Sequence, residues 1–421
     1  MAPDLEAQLK AGEKLAETDI DAAVSQMKGL VLDSSCNDAD AVKVKEQTIQ
    51  KMCDLLVKNK DATGLSQLLS QFRDFFNVIP KAKTAKIVRS IIDSVAKIPG
   101  STQLQVNICK EQMEWAKTEK RTFLRQRIEL RLASLFLDTK SFQDSLGIIG
   151  TLLSEVKKLD DKLLLVDIFL LESKVHYALR NMPKARAALT SARTAANSIY
   201  VPLLLQAEID CQSGILHAEE KDYKTAYSYF FESFEQLNTL DEPKAVTVLK
   251  YMLLAKIMLN QADDVPSIIS SKAGLKHTGE EVDAMRAVAK AYHDRSLQTF
   301  QAVTQSYKAQ LVEDAIIHSH LSALYDTLLE QNLVRLIEPF SRVEIAHVAS
   351  LIDLPVGVVE IKLSQMILDK KLVGTLDQGA GCLEVFEEPT SEAVYPTALE
   401  VIESMGRVVD TLFTRSHKVV V

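Results

Sequence analysis

The chemistry this chain could perform is sought first at "HSHLSALYD", where His318 and His320 stand two residues apart. A His-x-His pair opens the zinc site of JAMM metalloproteases, which continues with Pro directly after the second His and then a Ser and an Asp. Here Leu321 stands in place of the Pro, and further along, where the motif's Ser and Asp should come, "LLEQNLVRLIE" supplies neither. The surrounding pattern is helical. Residues i and i+2 of a helix point about 200° apart, so the two imidazoles cannot share one ion. Two unrelated helix histidines are the simpler reading.

Other constellations also fall short. There is no GxxxxGK[ST] phosphate loop, no GxGxxG after a strand, no GxSxG elbow and no HExxH. "GAG" at 379–381 is too short to cradle phosphate and reads as a hairpin turn. Asp160 and Asp161 are adjacent acids near a turn, not a facing catalytic pair. Lys117, Lys120, Arg121, Arg125 and Arg127 form a basic cluster that could hold an anion or a partner. A solvated helix face, with charge compensation at a helix C-terminus, is the simpler expectation. No catalytic, cofactor-binding or metal-binding residue is therefore expected. The chain should be no enzyme, carry no cofactor and take no small-molecule substrate.

The elements that would position any site are mostly helices. The 421 residues exceed one compact core and predict two to three domains or one elongated array. Leu, Ala, Lys, Glu and Gln dominate while Gly and Pro number only 14 and 11, a helix-former composition. The formal charge is −8 and the pI about 5.6, the wrong sign for a protein that grips phosphates. "MAPDLEAQLKAGEKLAETDI" lacks the pattern of a secretory signal, and "LLLVDIFLL" is half the length of a membrane span and contains Asp167. Cys36, Cys53, Cys109, Cys211 and Cys382 are scattered and form no CxxC pair, as expected of reduced thiols in the cytoplasm or nucleus.

A repeat organises the first three-quarters of the chain. Polar turns followed by an apolar residue and a small or apolar one three positions on recur around Ile20, Ala62, Phe142, Met182, Tyr223 and Asp263. Successive anchors lie 42, 80, 40, 41 and 40 residues apart, and the 80 is two periods. The missing turn is expected near residue 102, where "KIPGSTQLQV" supplies Pro99 and Gly100 as breakers. A unit of forty residues holds two helices of about 15 residues each, and such pairs bury their apolar faces by stacking into a solenoid. "KDYKTAYSYFFESFE" is the best copy, with Tyr223, Ala226 and Phe230 at tetratricopeptide-like spacing. Irregular helical packing with coincidental spacing is the alternative.

The pattern changes after about residue 300. "SHLSALYDTLLEQNLVRLIEPF" and "SRVEIAHVASLI" predict a long and a shorter helix, and "PVGVVEIKLSQMILDKK" a third that starts at Pro355. Val359, Leu363, Met366 and Ile367 fall on one face of that helix. "LVGTLDQ" and "CLEVF" then predict two strands of a wing, the shape of many DNA readers. The charges oppose that use. From Arg342 through Phe386 four basic residues face six acidic ones, a net −2, and the third helix has no Arg or Asn to read base edges.

"VEIKLSQMILDKKLVGTLDQ" resembles the winged-helix part of the PCI domain, shared by subunits of the proteasome lid, the COP9 signalosome and translation initiation factor three. "EWAKTEKRTFLRQRIELRL", "ARAALTSARTAANSIY", "LKYMLLAKIMLN" and "LLEQNLVRLIEPFSRVEI" narrow the resemblance to the proteasome-lid members of that family. It covers nearly the whole chain from about Val42, and the first forty residues match least. The resemblance implies a mostly α protein: a right-handed, tetratricopeptide-like α-solenoid over 1–300, a winged helix over 301–388 and a C-terminal helix over 389–421. It implies a non-catalytic scaffold of the 26S proteasome lid, acting in ubiquitin-dependent degradation. Its implied partners are the other PCI-type lid subunits and, through the N-terminal arm, the 20S core α-ring and a base ATPase. A PCI scaffold of the signalosome, of initiation factor three or of an mRNA-export complex is the alternative. Neither nucleic acid nor membrane is an expected partner.

The C-terminal segment carries the one set of partner-binding residues the sequence suggests. Ser391, Glu392 and Pro396 suit a helix start. Ala398, Val401, Met405, Val408 and Leu412 repeat at 3-4-3-4 spacing, a heptad seam, and Leu399, Ile402, Val409 and Phe413 form a second stripe beside it. An apolar face that wide is unsuited to a helix lying alone in water. The helix either folds back on its own wing or, as the resemblance implies, joins a shared bundle.

Overall fold

The structure, a computed structural model, describes residues 20–32, 39–59, 61–73, 76, 79–96, 98, 100–277, 279–312, 314–352, 354–386 and 394–420. Cys36, Pro99, Ser391 and Glu392 lie outside the described residues. The chain divides into two compact units, Met1–Ala255 and Lys256–Val421.

The first unit is an array of helices: α1 (Ile20–Leu32), α2 (Ala39–Lys58), α3 (Ala62–Gln71), α4 (Lys81–Ala96), α5 (Thr102–Thr118) and α6 (Thr122–Asp138). It continues with α7 (Phe142–Leu159), α8 (Lys162–Ala178), α9 (Met182–Ala196), α10 (Leu203–Glu219), α11 (Tyr223–Thr239) and most of α12 (Lys244–Met258), whose last turn passes the boundary at Ala255. The predicted anchors at Ile20, Ala62, Phe142, Met182 and Tyr223 each open a helix, and α5 opens at Thr102, where the missing turn is expected.

The corners show why the period holds. Gly100, Lys120, Lys140, Asp160 and Arg180, each 20 residues after the last, all adopt positive φ, and Lys221, Asp241 and Asn260 resume the series. A left-handed residue just past a helix end lets two amides turn back onto the last carbonyls. At Arg180 the residue's own N–H donates to Tyr177 O at 2.9 Å and the Asn181 N–H donates to His176 O at 2.9 Å. The same pair of bonds forms at Lys140 and Lys221. The next residue then caps the following helix: Asn181 accepts from Lys184 N–H, Asp161 from Leu164 N–H and Asp222 from Thr225 N–H. Asp160 and Asp161 thus form one such corner, with Asp160 as the left-handed C-cap and Asp161 as the next N-cap.

Packing within pairs follows small-to-large contacts. Ala226 and Phe230 of α11 are fully or nearly fully buried, as their spacing predicts, and Ser233 Oγ donates to Ala207 O of α10 at 2.8 Å. Ser145 and Ser173 make equivalent bonds to Ala133 O and Ala185 O, both at 2.9 Å, so helices within a pair approach closely without orphaned hydroxyls. Phe72, Phe76, Met27 and Met52 fill the core of the first helices.

The second unit starts with short helices, α13 (Asp264–Ile269), α14 (Lys272–Leu275), α15 (Glu280–His293), α16 (Leu297–Ser306) and α17 (Lys308–Val312), and then the long α18 (Ala315–Ile337). The wing module follows as β1 (Arg342–Glu344), α19 (Ile345–Ile352), α20 (Val356–Leu368), β2 (Gly374–Asp377) and β3 (Cys382–Val385). The sheet is antiparallel in the order β1-β3-β2, with Leu383 opposite both Val343 and Leu376. Val359, Leu363 and Met366 bury one face of α20 as predicted, and Ile367 is half-buried. Strand β1 is a difference from the sequence reading, which gave "SRVEI" to a helix: three residues carry too little alternation to show, and their partner lies 40 residues away on β3. Pro355 caps α20 with extended backbone instead of lying inside its first turn. The wing turn closes on Asp377 Oδ1, which accepts from Gly379 N–H at 2.9 Å and Ala380 N–H at 3.1 Å, and Gly381 takes φ of +64°. Helix α21 (Val394–Val420) is the last element.

Candidate assembly surfaces

Two of the four basic residues of the wing are already bound: Glu330 of α18 accepts Lys362 at 3.1 Å and Lys371 at 2.5 Å. Burial alone would raise the Glu330 carboxyl, but these two ammonium groups hold it below its ordinary range. Arg342 lies 3.8 Å from Glu384 across the sheet. The outer face of α20, which a DNA reader would place in the major groove, exposes Val358, Ile361 and Leu368. Such a face suits a protein partner, not a phosphate backbone.

The histidines of α18 part as the helix geometry requires, with His318 exposed and His320 buried. Among the described residues, no group of three or more His, Cys, Asp or Glu side chains could hold a metal ion. No helix of the described residues is long and apolar enough to cross a membrane. The basic cluster divides: Lys117, in the last turn of α5, and Lys120 are exposed, as expected of a solvated face, whereas the three arginines turn into the packing. Arg121 is buried with its guanidinium 4.7 Å over the Trp115 ring, and its Nη2 donates to Phe76 O at 3.2 Å. Arg125 pairs with Glu155, and Arg127 lies 3.5 Å from Asp167. These cations serve the packing of successive helices. A buried Arg stacked on Trp leaves no mark in the sequence that separates it from a surface one.

The predicted partner-binding residues lie together on α21. Val401, Met405, Val408 and Leu412 are 53%, 63%, 57% and 60% exposed. The neighbouring stripe of Leu399, Ile402, Val409 and Phe413 is exposed as well, and so is every described side chain from Val394 to His417. The helix carries its own Glu403–Arg407 pair at 2.7 Å. Burying such aliphatic and aromatic side chains contributes about 1.5–3 kcal/mol each, and a contiguous exposed apolar face of this kind marks an interaction surface.

Residues 5–139 match the family described as the 26S proteasome regulatory subunit RPN6 N-terminal domain, residues 304–387 the PCI domain, and residues 393–416 the 26S proteasome subunit RPN6 C-terminal helix domain. The "26S proteasome non-ATPase regulatory subunit 11 homolog" of Arabidopsis thaliana is 62% identical over 389 residues, 92% of this chain and 93% of that relative. The chain belongs to the Rpn6 family of 26S proteasome regulatory subunits. Relatives named for Rpn6 in Schizosaccharomyces pombe and Saccharomyces cerevisiae are 48% and 47% identical, over 96% and 88% of this chain and 96% and 87% of their own lengths. The exposed stripe of α21 therefore lies wholly within the Rpn6 C-terminal helix domain, and β1 to β3 lie within the PCI domain.

Proposed function

We propose that this chain is a non-catalytic scaffold subunit of the 26S proteasome lid. The observation that carries the reading is its end-to-end similarity to 26S regulatory subunits of plants and fungi. The work divides by segment: an arm of helical pairs over 1–300, a winged helix over 301–388 and an assembly helix over 389–421. The arm reaches the α-ring of the 20S core and a base ATPase. The winged helix packs beside those of other PCI-type subunits, and α21 enters a shared bundle through Val401, Met405, Val408 and Leu412. The chain acts in the cytoplasm and nucleus, a reading supported by its likeness to proteasome subunits. Stacked helical pairs supply long surfaces without any chemistry, which suits this role.

Two measurements test the reading. The tagged chain in a native extract should migrate with proteasome subunits; migration with signalosome or ribosomal fractions would assign it to another PCI complex. Deleting residues 1–160, a cut at the Asp160–Asp161 corner that keeps the α8/α9 pair whole, should leave lids that assemble but caps that separate from the core in mild salt. Caps that stay attached would refute the role of the arm.

A further inference from the structure

A cavity of about 350 Å³ opens on the first unit, lined by residues of α4, α6, α8 and α10, the leading helices of four successive pairs. Its floor is apolar: Leu124, Ile128, Leu170 and Leu171 are buried, and Leu205 is half-buried. Concave sites of this size, apolar with a few convergent polar groups, are where ligands bind.

The charges on its walls are unevenly spent. Four cations, Arg89, Arg127, Arg131 and Lys174, meet three carboxylates, Asp93, Asp167 and Glu208. Arg127 lies 3.5 Å from Asp167, and Glu208 holds Lys174 at 3.0 Å and Lys244 of α12 at 2.7 Å. Two carboxylates are thus engaged by three ammonium or guanidinium groups. Arg89 and Arg131 form no ion pair among those described, and the Nε of Arg131 is buried without a hydrogen-bond partner. A buried donor left in that state favours an acceptor brought by something else. Asp93 is the one lining acid that remains to oppose an incoming anion; it is exposed, as is Asp138, a carboxylate outside the lining that feels the charges of Arg131 and Lys174.

We infer that this groove docks an extended, acidic segment of a partner protein, a carboxylate reaching Arg131 and Arg89 while a large apolar side chain from the same segment enters between Leu124 and Leu171. The surplus of one cation and the unpartnered Nε of Arg131 favour an acidic occupant. The run across four helices favours a linear segment over a compact ion, because a chain can bring a carboxylate to the wall and an apolar side chain to the floor together. The planar guanidinium of Arg131 suits a carboxylate bidentately. The inference stands apart from which complex carries the chain, so it can fail while the scaffold role holds.

A displayed library of random twelve-residue peptides, selected on the full-length chain, tests it. Enriched sequences should combine Asp or Glu with Leu, Ile or Phe. One of them, synthesised with a fluorophore, should bind saturably and lose affinity at least tenfold on Arg131→Glu. Arg89 is exposed, so Arg89→Glu keeps the fold and provides a second variant whose binding should fall several-fold. A helix content and melting point close to those of the wild type would confirm that both variants are folded. Enrichment of basic or purely apolar peptides, no enrichment, or binding that survives both substitutions would overturn the proposal. Concentration-dependent dimerisation abolished by the same substitutions would assign the groove to a second copy of the chain and also overturn it.

Discussion

The ring of Phe230 on α11 lies against Gly214 on α10, so closely that a Cβ at position 214 would come within 2.6 Å of Phe230 Cε1. Phe230 is 2% exposed and has no space to retreat. Gly214→Ala gains about 1 kcal/mol of helix propensity. It forces an overpacked contact that typically costs about 1–3 kcal/mol. The expected result is a lower melting temperature with unchanged helix content. Gly147 of α7 is the control, since nothing lies within 4 Å of a Cβ there. Gly147→Ala should raise stability by about 0.5–1 kcal/mol. Thermal unfolding followed by circular dichroism separates the two; equal shifts of the same sign would refute the close approach.

Asp167 gives the arm a pH dependence. Burial pushes its carboxyl up to about 6 from the ordinary 3.8, against the pull of Arg127. The native state therefore favours the protonated form. The stability this group contributes is complete below 3.8 and is lost as pH rises through about 6. Melting curves between pH 4 and 7 should show the wild type losing stability upward through that window. In Asp167→Asn the slope should flatten by about 1–2 kcal/mol over the window. An unchanged slope would contradict the burial of this carboxylate.

The wing module should not bind nucleic acid. Lys362 and Lys371 are held by Glu330, and α20 shows apolar side chains outward. Fluorescence anisotropy of the full chain with duplex DNA or RNA at physiological salt should rise no further than with an acidic control protein. A saturable, salt-sensitive isotherm would count against this account.

Much of this architecture is legible in the residues. The forty-residue cadence, the turn near residue 102, the buried face of α20 and the two wing strands all follow from apolar periodicity and turn chemistry. What stays hidden has a common physical cause. The corners turn on Lys120, Lys140, Arg180 and Lys221 in the left-handed region, where a search for Gly and Pro sees nothing. Their caps, Asp161, Asn181 and Asp222, are the readable half of the signal. Strand β1 depends on pairing with distant β3, and the burial of Arg121 depends on Trp115 and Phe76 arriving from other helices. The groove above Leu124 and Leu171 joins four helices and has no local pattern at all.

Two cysteines report on the same packing. Burial pushes the Cys53 thiol up to about 12 and the Cys109 thiol to about 11, so neither offers a thiolate near neutrality. Iodoacetamide at pH 8 should leave both unlabelled in the native chain and modify them in denaturant, read by peptide mass. Native labelling at the denatured rate would show that the first helices open readily.

On the reading proposed above, α21 is an assembly element whose apolar seam is covered by other subunits. Val401→Asp combined with Leu412→Asp removes two side chains worth about 1.5–3 kcal/mol each when buried and replaces them with charges. Both positions are exposed in the isolated chain, so the variant should fold with normal helicity and melting temperature. Co-expressed with the remaining lid subunits, it should stay free in native gel electrophoresis while the wild type enters the lid. Normal incorporation of the double variant, or collapse of the isolated chain, would contradict the account.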